Sequence, residues 1–186
     1  MESIFDKDKN FKAAVGGFIV EFSKLESGLT VLDALTEFDL PNYAKYLPKY
    51  WGLSFEQKKN ILTDFIKDQL PELNSIWQKL KQEMEDINKE RRFIVHGFAN
   101  SFIPKGTITT YIHKKGKIED KELDINTIKK LTNRLRILLT GDNGINGEFH
   151  NLFIKTRIDK WNIFASDKYK IVYEVNNKII SEWKGV

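Results

Sequence analysis

Cysteine is absent from the 186-residue chain. Its absence removes disulfides, thiolate metal sites and cysteine nucleophiles, and it suits a reducing cytoplasm. Histidine is scarce: His96, His113 and His150 are the only three, and none stands at an HxxxH or HExxH spacing. No metal site is expected from such a pattern. The glycine-rich run GDNGING, residues 141–147, lacks the GxxxxGK(S/T) spacing and does not join a strand to a helix in a βαβ unit. It reads as a loop, and no cofactor is expected. Long apolar runs are missing too. The longest uncharged run near the start, Ala13–Val20, falls far below the roughly 20 residues needed to cross a bilayer. Residues 1–10 are too acidic and too poor in apolar side chains for a secretory leader. The expectation is a soluble cytoplasmic protein with no membrane partner.

Hydrophobic residues make up 41% of the chain, enough for a core, and the 30% that are charged suit a solvated surface rather than disorder. The length fits one domain, or one domain with a small appendage. A net charge of +4 leaves nucleic acid open as a partner without deciding for it.

Apolar residues set the expected elements. Phe11, Val15, Phe18, Phe22, Leu25, Leu29 and Leu32 step by three and four, which predicts a helix over about 9–38. Gly16-Gly17 lies inside it, at about 1 kcal/mol per glycine relative to alanine, and reads as a close helix contact or a kink. Residues 39–53 form a proline- and aromatic-rich connection, with a short helical turn after Pro41; its aromatic cluster reads as a cover for one end of the bundle, with a ligand platform as the alternative. Ser54 to Gln57 has the order of a capping box and opens a helix over about 55–69. Pro71 suits the first turn of the next helix. The β-branched stretch Thr107–His113, a Lys-Lys-Gly turn and Lys117–Glu119 predict a hairpin inserted at about 105–120. Asp124 or Asn126 then caps a helix that Gly141 ends, and residues 148–165 form a fifth. The last segment, 167–186, reads as a terminal hairpin packed on the bundle or on a partner chain. The fold class is mainly α: about five helices over residues 1–166, with small β-hairpin additions.

One helix carries unusual chemistry. Leu73, Trp77, Leu80, Met84, Ile87, Arg91 and Ile94 again step by three and four, so Arg91 takes a position that six apolar residues define. A buried guanidinium needs an anionic partner. Glu26, which borders the stripe of the first helix, is one candidate and a ligand phosphate is the other. Immediately after, the helix ends in Arg92-Phe93-Ile94-Val95-His96-Gly97.

The run Arg91 to Gly97, at the end of a long amphipathic helix, resembles the R-x4-H motif of HEPN-domain proteins. Glu90, Leu25-Glu26 on an early helix, and a strand pair after the His-Gly are similar as well. The likeness spans about residues 10–140 in architecture and about eight residues in motif. Arg92 stands where many members have asparagine. The resemblance implies an antiparallel helical bundle and a metal-independent endoribonuclease, of the kind used as a toxin or in antiviral defence. Its active site would form where two protomers of a homodimer meet, and a cognate antitoxin or other protein is an implied partner. The RNA 2′-hydroxyl would be the nucleophile. His96 would serve as general acid or base, because an imidazole holds either protonation state near neutrality. Arg91 would grip the phosphate and stabilise developing charge, and Arg92 would add a phosphate contact or orient His96. Lys105, Lys114, Lys115, Lys117 and Lys121 cluster at the first hairpin, either as a solvated face or as an RNA-backbone contact. The alternative function is a non-catalytic HEPN-like module that binds nucleotide, RNA or a protein. The purely structural alternative pairs Arg91 with Glu26 and lets His96-Gly97 simply end the helix. His113 and His150 read as surface or satisfied histidines.

Overall fold

Helices form where the apolar residues step by three and four. The computed structural model describes residues 4–37, 40–96, 98–100, 107–161, 170–175 and 178–184. In chain order these hold α1 (Ile4–Ala34), a 3-10 segment (Leu40–Tyr46), α2 (Leu47–Trp51), α3 (Phe55–Gln69), a 3-10 turn (Pro71–Leu73) and α4 (Asn74–His96). There follow β1 (Phe98–Asn100), β2 (Thr107–Lys114), β3 (Lys117–Asp124), α5 (Ile125–Thr140), α6 (Glu148–Trp161), β4 (Lys170–Val175) and β5 (Lys178–Lys184). The chain is mainly helical, with two small antiparallel sheets, ordered β1-β2-β3 and β4-β5. No helix among the described residues is long and apolar enough to cross a membrane.

Local chemistry accounts for the boundaries. Ser54 accepts from the Gln57 amide while the Gln57 side chain accepts from the Ser54 amide, the two halves of a capping box at the start of α3. Asp124, rather than Asn126, caps α5: its carboxylate accepts from the Thr127 amide at 2.6 Å. Two elements exceed the sequence expectation. The helical turn expected after Pro41 is the 3-10 segment, and α2 follows it, with Pro48 in its first turn and Tyr50 buried. A third strand, β1, pairs with β2 in the register Phe98↔Tyr111, Ala99↔Thr110, Asn100↔Thr109. At three residues it is too short for alternation to reveal it.

The chain divides into two compact units. The first comprises Met1–Lys24 and Gln82–Ile137, and the second Leu25–Lys81 and Leu138–Val186. Helices α1, α4 and α5 therefore contribute residues to both. Buried side chains of the first include Phe18, Phe22, Met84, Ile87, Leu123, Ile128, Leu131 and Leu135. In the second, Trp77 is fully buried, stacks on Phe149 at 5.8 Å between centroids, and donates its indole N–H to Thr63. Such a partner is what a buried indole requires.

At Gly16-Gly17 the close-contact half of the expectation fails. A Cβ at Gly16 or Gly17 would meet nothing within 4 Å among the described residues, so neither marks a close helix contact. The close approach is at Gly28, where a Cβ would lie 2.2 Å from the Asn146 side-chain oxygen and 3.1 Å from Ile145. The GDNGING loop thus packs against α1, and its amides at Ile145 and Asn146 donate to the Leu138 and Leu139 carbonyls at the end of α5. Replacing Gly16 by alanine should stabilise the protein by about 0.5–1 kcal/mol through restored helix propensity. Thermal unfolding checks this: Gly28→Ala should melt below Gly16→Ala, and the reverse order would contradict the contact geometry.

Candidate active site at the end of helix α4

Within the first unit, the seam of α4 continues from Met84 and Ile87, both buried, to Arg91, which is half-buried. Its guanidinium carbon lies 4.5 Å from the centroid of the Phe22 ring of α1. A flat cation over an aromatic face is a favourable way to carry charge on an apolar seam, worth about 0.5–2 kcal/mol. Arg92, one step around the helix, is exposed. His96, the last residue of α4, is exposed as well. Gly97 and Lys105 lie outside the described residues.

Two ion pairs tie α4 to its neighbours, and a third pairing joins α1 to α5. The Lys121 ammonium of β3 donates to both carboxylate oxygens of Glu90 and lies 5.7 Å from the Phe93 ring centroid. Arg134 of α5 makes a two-pronged bond to Glu83, at 2.7 and 2.9 Å. Arg136 and Lys24 meet the buried Glu21 carboxylate of α1, at 3.2 and 3.1 Å. Lys121 therefore differs from the open lysine face expected of it, because a carboxylate on the helix claims its charge.

The α-helical backbone persists through His96. Arg91 and His96 are five residues apart, which on such a helix means about 140° around the axis and ~7.5 Å along it. The two side chains do not project from one side of α4, so a single copy of the helix does not aim both at one phosphate.

The hairpin β2–β3 runs in register from Thr107↔Asp124 to Lys114↔Lys117. Its turn places Lys115 at φ 50° and Gly116 at φ 79°, the left-handed pair that a two-residue hairpin loop demands. Lys115 and Lys117 are exposed at the tip, next to Ile118, which is 71% exposed. Lys114 belongs to β2, and its side chain, like that of His113, lies outside the described residues. Glu26 is half-buried on the part of α1 that belongs to the second unit. Its pairing with Arg91 stands as an expectation. Among the described residues no three His, Asp or Glu side chains are grouped to hold a metal ion.

Among the described residues of the second unit, Arg157 and Asp33 are charged groups with no exposed surface, and neither is expected from the sequence. Arg157 is 0% exposed, with its guanidinium carbon 5.4 Å from the Phe65 ring centroid. Burial lowers its pKa to about 10, against the opposing charge of Glu37. The signal was present: Phe149, Phe153 and Arg157 are spaced by fours. The neighbouring Ile158, which also follows Phe153 at helical spacing, is only half-buried. Asp33, four residues after Leu29 in the last turn of α1, is also 0% exposed. Among the described residues neither of its carboxyl oxygens has a hydrogen-bond partner. Burial raises its pKa to about 8, against the pull of the buried Lys58. On α6, burial likewise holds the half-buried His150 imidazole below its usual range.

The Asp33 carboxyl makes stability depend on pH. Below about pH 4 it is protonated whether the chain is folded or not, and the full stability is present. Between about pH 4 and 8 the unfolded chain releases the proton that the folded chain keeps, so stability falls as pH rises through the folded pKa of about 8. Melting of wild type and Asp33→Asn from pH 4 to 9 tests this: the variant should gain on wild type up to about pH 8 and then hold its lead. Parallel curves would show that Asp33 is not the titrating group. Compared with known proteins, the chain matches no family model, no curated protein and no solved structure.

Proposed function

We propose that this chain is a metal-independent, HEPN-type endoribonuclease that works as a cytoplasmic homodimer, in the setting of a toxin or an antiviral effector. The observation that carries the reading is the composition of one helix end. An arginine on an apolar seam and an exposed histidine five residues later close α4, within the sequence pattern that resembles the R-x4-H motif. These residue types suffice for the chemistry. The RNA 2′-hydroxyl gives up its proton and attacks the adjacent phosphorus, the P–O5′ bond breaks to leave a 2′,3′-cyclic phosphate, and the departing 5′-oxygen takes up a proton. His96 makes one of these proton transfers, and Arg91 stabilises the charge that develops on the phosphate.

A dimer enters for a geometric reason. Arg91 and His96 diverge by about 140° on one helix, so a site containing both side chains draws on two copies of α4. The lysines at the hairpin tip, Lys115 and Lys117, suit the RNA backbone. A second reading is favoured by Arg92, which stands where the motif usually has asparagine: a HEPN-like module that binds RNA, nucleotide or protein without cleaving.

Cleavage of single-stranded RNA in EDTA separates the two. Wild type should cut, and His96→Ala should be slower by about 10²–10⁴-fold, the usual contribution of a general acid or base. Arg91→Ala should fall with it. RNA left intact by wild type, or cut equally by His96→Ala, would end the nuclease reading. Sedimentation should also show a dimer under the conditions of cleavage.

A further inference from the structure

We propose that Asp33 is the latch of a proton-operated clasp: when its carboxyl ionises, the last turn of α1 opens and releases α2. The inference concerns the second unit and stands apart from the nuclease reading.

The clasp is a short chain of contacts. Asp33 is the penultimate residue of α1 and fully buried, and among the described residues neither of its carboxyl oxygens has a hydrogen-bond partner. The backbone of the same residue closes the helix. Its carbonyl accepts from the Thr36 amide at 3.0 Å and from the Thr36 hydroxyl at 2.6 Å. Glu37 comes next and grips α2: one of its carboxylate oxygens accepts from the Tyr50 hydroxyl and from the Lys49 ammonium, each at 2.6 Å. Tyr50 is buried, so α2 is held to α1 through the turn that Asp33 underlies.

Ionisation acts on this turn before any other. A buried carboxylate needs hydrogen-bond donors, and this one has none among the described residues. It would also stand beside the carbonyl end of a helix, where negative charge is disfavoured, and no basic residue occupies the last turn of α1 to offset it. The charged groups that face the clasp do not meet the need. Lys58 of α3 is buried and its charge acts on Asp33, but without a hydrogen bond to it. Its neighbour Lys59 is paired with Glu56. Lys49 of α2 is taken up by Glu37, and the charge of Arg157 on α6 also acts on Glu37. Burial outweighs the pull of Lys58 and raises the Asp33 pKa to about 8, so the proton stays on while the turn is closed. Opening the turn admits water, where a carboxyl ionises near about pH 4. The open form therefore gains on the closed one as pH rises from about 4 to 8, and the balance is constant above that.

Amide hydrogen exchange of the full chain tests this. It reads the clasp at Thr36, bonded to the Asp33 carbonyl, and at Leu53, bonded to the Tyr50 carbonyl. Leu62, fully buried in the middle of α3, reads global unfolding. At Thr36 and Leu53 the opening constant of wild type, divided by that of Asp33→Asn, should rise about tenfold per pH unit from about pH 5 to 7 and level off near pH 8. Both amides should open more often than Leu62. Lys58→Met removes the cation that lowers the Asp33 pKa, so the level-off should move above about pH 8. A ratio that does not change with pH would overturn the proposal, as would a level-off that Lys58→Met leaves in place. Opening no more frequent than at Leu62 would be global unfolding alone, and opening at Thr36 without Leu53 would leave α2 held. Either result would also overturn it. RNA cleavage plays no part in these measurements, so the clasp and the nuclease reading stand or fall separately.

Discussion

A charge placed on an apolar helical seam must be answered by something other than water, and among the described residues Arg91, Arg157 and Asp33 face that constraint. Arg91 and Arg157 both stand over phenylalanine rings, Phe22 and Phe65. The negative face of a ring answers a guanidinium without bringing a carboxylate out of water, and desolvating a second ion is the main penalty of a buried ion pair. The aromatic partners lie within the apolar periodicity itself, so the seams remain packed where the charges interrupt them. Asp33 has no such recourse, because a ring face repels a carboxylate. Its burial shows up as proton affinity: the group stays neutral up to about pH 8.

Much of this architecture was legible from spacing. The capping box at Ser54, the cap at Asp124 and the long period-3.6 stripes located α3, α4 and α5, because each signal depends on residues a few positions apart. Other features depend on contacts that no short window contains. Pairing with β2 creates β1, and Tyr50 reaching Glu37 holds α2 in place. Gly28 matters because a distant loop arrives beside it, while the more conspicuous Gly16-Gly17 pair faces open space. Arg157 is hard to read for a different reason: a charged residue on an apolar stripe, next to Ile158, breaks the pattern that would reveal it, although its spacing from Phe149 and Phe153 points inward.

The candidate site divides in the same way. That Arg91 would interrupt the α4 seam was readable, and the seam does run into it. That Lys121 would be claimed by Glu90 was not, since thirty-one positions separate them and the lysine sat among others that looked alike. Glu83–Arg134 and Glu90–Lys121 are both charge pairs between α4 and its neighbours in the first unit. Individually such half-exposed pairs are worth little, about 0–1 kcal/mol. Each joins α4 to a different neighbour, Glu83 to α5 and Glu90 to β3.

The turn of the β2–β3 hairpin carries a further implication. Lys115 occupies left-handed backbone at φ 50°, a conformation that glycine or asparagine adopts readily and that disfavours lysine by roughly 1–2 kcal/mol. Exchanging Lys115 for asparagine would therefore relieve the backbone of the turn and remove a cation from its exposed apex in the same step.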